Sequence, residues 1–172
     1  AGGLPGGCVC GRRDIMQLLD FEAANFHGFQ KIPHQGTFNA NPISMVAGKA
    51  AMELLTPEEF DRLNNLGGRA REGVKNAFAN TGVEGQVTGA GSLLRIHMTN
   101  VPLVDYRSAR ATSAQSAALA SVIDYMHANG VLLAETGLCA ISTAMGDAEI
   151  DEFVNIFAAA LARSGSSQQA AE

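Results

Sequence analysis

His34-Gln35-Gly36-Thr37-Phe38-Asn39-Ala40-Asn41-Pro42-Ile43-Ser44-Met45 sets a glycine and a hydroxyl side chain just ahead of the best-signalled helix start in the chain. Asn41 has the side chain of an N-cap, and Pro42 suits the first helical position, where a missing N–H costs no hydrogen bond. Ile43, Val46, Ala47, Ala50, Ala51 and Leu54 follow at helical spacing and predict an amphipathic helix over residues 42–55. Ala47, Gly48, Ala50 and Ala51 make part of it thin, which suits the close approach of another backbone. Two readings of its entrance stand side by side. Free N–H groups and the positive end of the helix dipole favour an anion, so a phosphate binds the Gly36 N–H and the Thr37 Oγ. Alternatively, Thr37 bonds only to local backbone and Asn41-Pro42 begins a purely structural helix.

Upstream, glycines punctuate residues 2–11, with a short strand expected at 7–10. A helix follows over 12–19, with Ile15, Leu18 and Leu19 on one face. Between Asp20 and Phe38 no period is sustained, and a long loop carries Phe21, Phe26, His27, Phe29 and His34. Downstream, Thr56-Pro57-Glu58-Glu59 has the spacing of a capping box. It opens a helix to about residue 80 with Phe60, Leu63, Val74, Ala77 and Phe78 inward. Gly67-Gly68 weakens its middle and predicts a bend.

Strands are expected at 86–88, 93–98, 131–133 and 140–142, with a loop over 99–112 and a helix over 113–129 bearing Leu119, Val122, Ile123 and Met126. Asp147 starts a last helix with Ile150, Phe153, Val154, Phe157 and Leu161 buried, and residues 165–172 read as a small, polar, disordered tail. The alternation is an α/β pattern with a break near Thr56.

Composition narrows the function. The chain has 172 residues, a net charge of -5, 47% hydrophobic residues and only 17% charged ones. An acidic balance argues against an electrostatic grip on nucleic acid or anionic lipid. No apolar run reaches the roughly eighteen residues of a membrane helix. Cys8, Cys10 and Cys139 are too few for a disulfide framework, so a cytoplasmic setting is expected. His27, His34, His97 and His127 lack metal-ligand spacing, and no metal site is expected. There is no Gly-x-Ser-x-Gly elbow and no Gly-Lys-Ser phosphate loop. His34 and His97 are candidate bases, or hydrogen-bonded packing residues.

Gly2-Gly3-Leu4-Pro5-Gly6-Gly7, Gly11-Arg12-Arg13-Asp14-Ile15-Met16 and His34 to Met45 together resemble class-III pyridoxal-phosphate (PLP) aminotransferases. Within them the chain is most similar to glutamate-1-semialdehyde aminomutases and β-amino-acid transaminases. Asn129-Gly130-Val131-Leu132-Leu133-Ala134, Ser142-Thr143-Ala144 and the Asp147-Ala148-Glu149-Ile150-Asp151 helix start extend the resemblance towards the C-terminus. It implies the C-terminal part of a fold-type-I PLP transferase. Residues 1–56 would be the end of the large coenzyme domain and 57–164 the small α/β domain, with the tail beyond.

It further implies a homodimer acting on a small amino-acid, keto or aldehyde substrate, in which Gly36 and Thr37 bind the coenzyme phosphate of the neighbouring subunit. The family's coenzyme-tethering lysine stands a few residues ahead of the Gly-Gly-Leu-Pro motif, and Lys31, Lys49 and Lys75 do not match it. On that mapping the chain carries no catalytic residue and is inactive alone. The segment Glu135-Thr136-Gly137-Leu138-Cys139-Ala140 departs from the aminomutase pattern, being shorter with its acid displaced. Arg12 and Arg13 are carboxylate clamps or, at a helix start, structural. Two functions follow: part of an enzyme of amino transfer or 1,2-amino migration, or a non-catalytic association module.

Overall fold

The computed structural model describes residues 1–20, 22 and 32–169, in two compact units that divide at Thr56 and Pro57. Residues 21 and 23–31 of the expected long loop, with Lys31, lie outside the described residues, as do 170–172.

The first unit is built on short helices. Helix α1, Arg13–Met16, continues into a 3-10 turn at Gln17–Leu19. Helix α2 spans Pro42–Glu53 and starts as its residue types require: Asn41 Oδ1 accepts the N–H groups of Ile43 at 3.0 Å and Ser44 at 3.3 Å. Its thin middle receives the unit's own N-terminal turn. A Cβ on Gly2 would stand 2.5 Å from the Ala47 carbonyl oxygen, and one on Gly48 would meet Ala1 Cα at 3.5 Å. The expected strand at 7–10 does not form; these residues are exposed and irregular. A strand needs a neighbour to take its backbone donors, and all strand pairing among the described residues lies in the second unit.

The second unit is two-layered. Helix α3 is Pro57–Thr81, strands β1 and β2 are Gln86–Thr88 and Leu93–His97, helix α4 is Ser113–Ala128, strand β3 is Leu138–Ala140 and helix α5 is Asp147–Gln169. The sheet is antiparallel in the order β1-β2-β3, with Val87 opposite Ile96 and Leu94 opposite Cys139. Leu94 and Ile96 are buried with the inward stripes of the helices, while Leu93 and Arg95 point to the open face. Leu63, Leu66, Ala70, Val74, Ala77 and Phe78 of α3 pack into one core with Leu119, Val122, Ile123 and Met126 of α4 and Ile150, Phe157, Ala160 and Leu161 of α5. Phe78 meets Phe157 edge to face at 5.3 Å.

Helix α3 is one continuous helix through Gly67-Gly68. Gly67 makes room: a Cβ there would stand 2.0 Å from the Gly91 carbonyl oxygen in the β1–β2 turn. Three expectations are corrected. Residues 131–133 form no strand, because the end of α4 uses their donors. Gly130, at φ +87°, turns the chain so that the Val131 N–H reaches the Met126 carbonyl at 2.9 Å and the Leu133 N–H reaches His127 Nε2 at 3.1 Å. Phe60, expected inward, is exposed. Finally, α5 continues to Gln169, past the point where a disordered tail was expected.

Candidate functional site

Two linked turns carry Gly36 and Thr37 into helix α2. The Asn39 N–H donates to the Gly36 carbonyl at 3.0 Å and the Asn41 N–H to the Phe38 carbonyl at 3.2 Å, with Ala40 at φ +53° between the turns. Thr37 is exposed, and its hydroxyl has no partner among the described residues; the same holds for the backbone N–H groups of Gly36 and Thr37. Among the described residues, Thr37 makes no local backbone bond. The donors of the helix itself are a different matter. Pro42 has none, and Asn41 already occupies those of Ile43 and Ser44. An anion here meets the turn's own hydroxyl and N–H groups, aided by the dipole of α2 but not by its first-turn donors.

The other sequence candidates are dispersed. The Arg12 guanidinium grips Asp14 at 2.6 and 3.0 Å, holding that carboxyl below its usual range, so this arginine is engaged locally. His34 and Glu135 are exposed. His97 is buried on β2, with Nε2 3.0 Å from Thr88 Oγ1. Burial, then the charge of Arg95, pushes its pKa down, so its ring is neutral at pH 7. Cys139 is pushed up to about 12 by burial and is no thiolate nucleophile. Lys49 pairs with Glu53 and Lys75 with Glu72, both on exposed helix faces. Among the described residues no cluster of His, Cys, Asp or Glu is arranged to hold a metal, and no helix is long and apolar enough to cross a membrane.

Sequence reasoning missed the side chains that knit α3 to the last helix and the loop before it. Arg62 donates to the Thr143 and Met145 carbonyls at 2.8 and 2.7 Å, and Arg69 forks onto Asp151 at 2.8 and 2.7 Å. Separations of about eighty residues leave no local signal for such ties. The Thr112/Gln115 capping box at the head of α4 has a signal in the sequence, its three-residue spacing.

The class-III aminotransferase family matches residues 1–161. The chain belongs to the class-III aminotransferases. It is 36% identical over 163 residues to the glutamate-1-semialdehyde 2,1-aminomutase of Opitutus terrae, covering 93% of this chain and 36% of that protein. Among solved structures, an omega-transaminase from Sphaerobacter thermophilus superposes with a TM-score of 0.85 at 42% identity, covering 95% of this chain and 36% of that one. A transaminase with PLP bound superposes at 0.75 with 33% identity, covering 91% of this chain and 34% of that one. This class-III chain thus spans about a third of the length of the relatives it matches. The expected fold, the C-terminal part of a PLP transferase, is the fold found.

Proposed function

We propose that this chain serves a PLP-dependent amino transfer or 1,2-amino migration, and that its Gly36–Thr37 turn contacts the phosphate of a coenzyme held by a neighbouring subunit. The observation that carries the proposal is the Thr37 hydroxyl, exposed beside two backbone N–H groups without acceptors among the described residues, in a class-III aminotransferase chain. A dianionic phosphate fits this donor set, since charge-assisted hydrogen bonds are roughly twice as strong as neutral ones. The coenzyme, when bound, supplies the electron sink for chemistry at the carbon bearing the amino group. This chain's part is to bind and orient its anionic end.

On this reading the amine that tethers the coenzyme is none of Lys31, Lys49 and Lys75. The ion-paired, exposed settings of the latter two support that view. The substrate is a small amino acid with its keto or aldehyde counterpart, and the working assembly is a homodimer.

The test is coenzyme retention in the PLP-loaded protein. Thr37→Ala should raise the PLP dissociation constant about tenfold, the equivalent of one charge-assisted hydrogen bond of about 1.5 kcal/mol. Thr37→Ser, which keeps the hydroxyl, should stay near wild type. Equal affinities for all three proteins would remove Thr37 from the phosphate site.

A further inference from the structure

The basic side chains of the second unit fall into two sets. Arg62 is engaged by Glu59, Arg69 by Asp151 and Arg71 by the carbonyls of Gly91 and Leu93; Lys75 sits by Glu72 and Arg163 lies over the Tyr125 ring. Arg95, Arg107 and Arg110 have no acidic partner among the described residues, and of the three only Arg95 and Arg110 line a cleft. Arg95 donates only through Nε, to the Thr136 carbonyl at 3.2 Å, which leaves the terminal nitrogens of its fork free. The Arg110 guanidinium bonds to no described residue.

These two arginines line the same cleft, together with His97, Met98, Ser108 and Leu119. Arg95 and His97 are two residues apart on β2 and share a face, and Thr88, paired with Arg95 across the strands, touches the His97 ring. No acid forms an ion pair with either arginine among the described residues. The Asp105 carboxylate accepts the Ser108 N–H at 2.8 Å and its hydroxyl at 2.9 Å, and Glu135 is an exposed loop residue. Guanidinium forks without an acid partner at a cleft wall match a carboxylate, which accepts two parallel N–H bonds. Met98 and Leu119 supply apolar surface beside them.

We propose that this cleft binds a small carboxylate carrying a short apolar chain, gripped by Arg95 and Arg110. The proposal lies wholly within the second unit and does not rest on the coenzyme reading of Thr37. Inorganic phosphate offers the same charge without the chain and is the competing ligand to separate.

The experiment titrates the full 172-residue chain with butyrate, inorganic phosphate or neutral butyramide while the His97 ring is followed by NMR. Butyrate should bind saturably and raise the His97 titration midpoint, because a bound anion offsets the field of Arg95. Butyramide should do neither. Arg95→Gln and Arg110→Gln should each weaken butyrate about tenfold; Arg110 is exposed, so its replacement leaves the fold intact. Arg69→Gln, on a different helix face, should leave butyrate affinity unchanged. An unmoved His97, phosphate binding tighter than butyrate, or an equal loss in Arg69→Gln would overturn the proposal.

Discussion

Helix α2 of the first unit and helix α3 of the second both carry apolar side chains at helical spacing, yet they end in opposite states. On α3, Ala70 and Val74 are fully buried, whereas on α2 Ile43 and Val46 are 71% and 70% exposed and the only buried residue is Ser44. Periodicity specifies that a helix has an apolar face; it does not specify what covers that face. In the second unit three helices and a sheet cover one another. In the first unit the N-terminal turn meets only the thin middle of α2, and Ile43 and Val46 are left uncovered by the described residues.

The largest effect that tests this contrast comes from Phe157. Its ring is fully buried against Phe78 and Phe153, so Phe157→Ala should cost about 3–5 kcal/mol in denaturant unfolding. Ile43→Ala, on the uncovered face, should change stability by less than about 0.5 kcal/mol. Comparable losses in the two variants would mean that α2 is covered in solution, and the contrast would fail.

A second pair sharpens the point within α3 itself. Gly67 and Gly68 are neighbours in one helix, but a Cβ on Gly67 would strike the Gly91 carbonyl at 2.0 Å while one on Gly68 would meet nothing within 4 Å. Gly67→Ala should therefore destabilise by about 1–3 kcal/mol, since backbone must shift to admit it. Gly68→Ala should stabilise by about 0.5–1 kcal/mol through helix propensity. Thermal unfolding of the two variants reads both signs, and a matching sign would show that packing against the β1–β2 turn does not govern this helix.

That pair also shows where the sequence was legible. Asn41-Pro42 and Asp147 announced their helices, because caps and first-turn residues act locally. The run Leu93 to Met98 announced β2, and the structure puts its Leu94 and Ile96 on the core face. Gly67-Gly68 is legible only as a weak point in the helix, because the same residue type weakens a helix and permits close approach, and only the position of Gly91 reveals the second role. Residues 131–133 misled because three apolar side chains look alike in a strand and in a helix C-terminal turn. At the candidate site, residue types pointed to the Gly36–Thr37 turn, but they did not reveal that Asn41 would use up the donors of Ile43 and Ser44. The Arg95–Arg110 cleft was invisible: its two arginines are far apart in sequence, on a strand and in a loop.

The smallest expected effect is one of pH, and it belongs to the second unit. His97 is buried beside Arg95, and both burial and that charge favour its neutral ring. Its folded pKa lies below the unfolded value of about 6.5, so as pH falls through that range the unfolded chain takes up the proton first. The stability that His97 contributes is thus present above the unfolded pKa and declines as the solution is acidified. Denaturant midpoints between about pH 7.5 and 5.5 should fall for the wild type and fall less for His97→Gln, whose amide does not titrate in this range. The burial of His97 is a property of the folded second unit, whereas His34 in the first unit is exposed, so His34→Gln should leave the slope as it was. A steeper slope in His97→Gln than in the wild type would mean that the imidazole is charged in the folded protein, and that an acid, rather than Arg95, governs the ring.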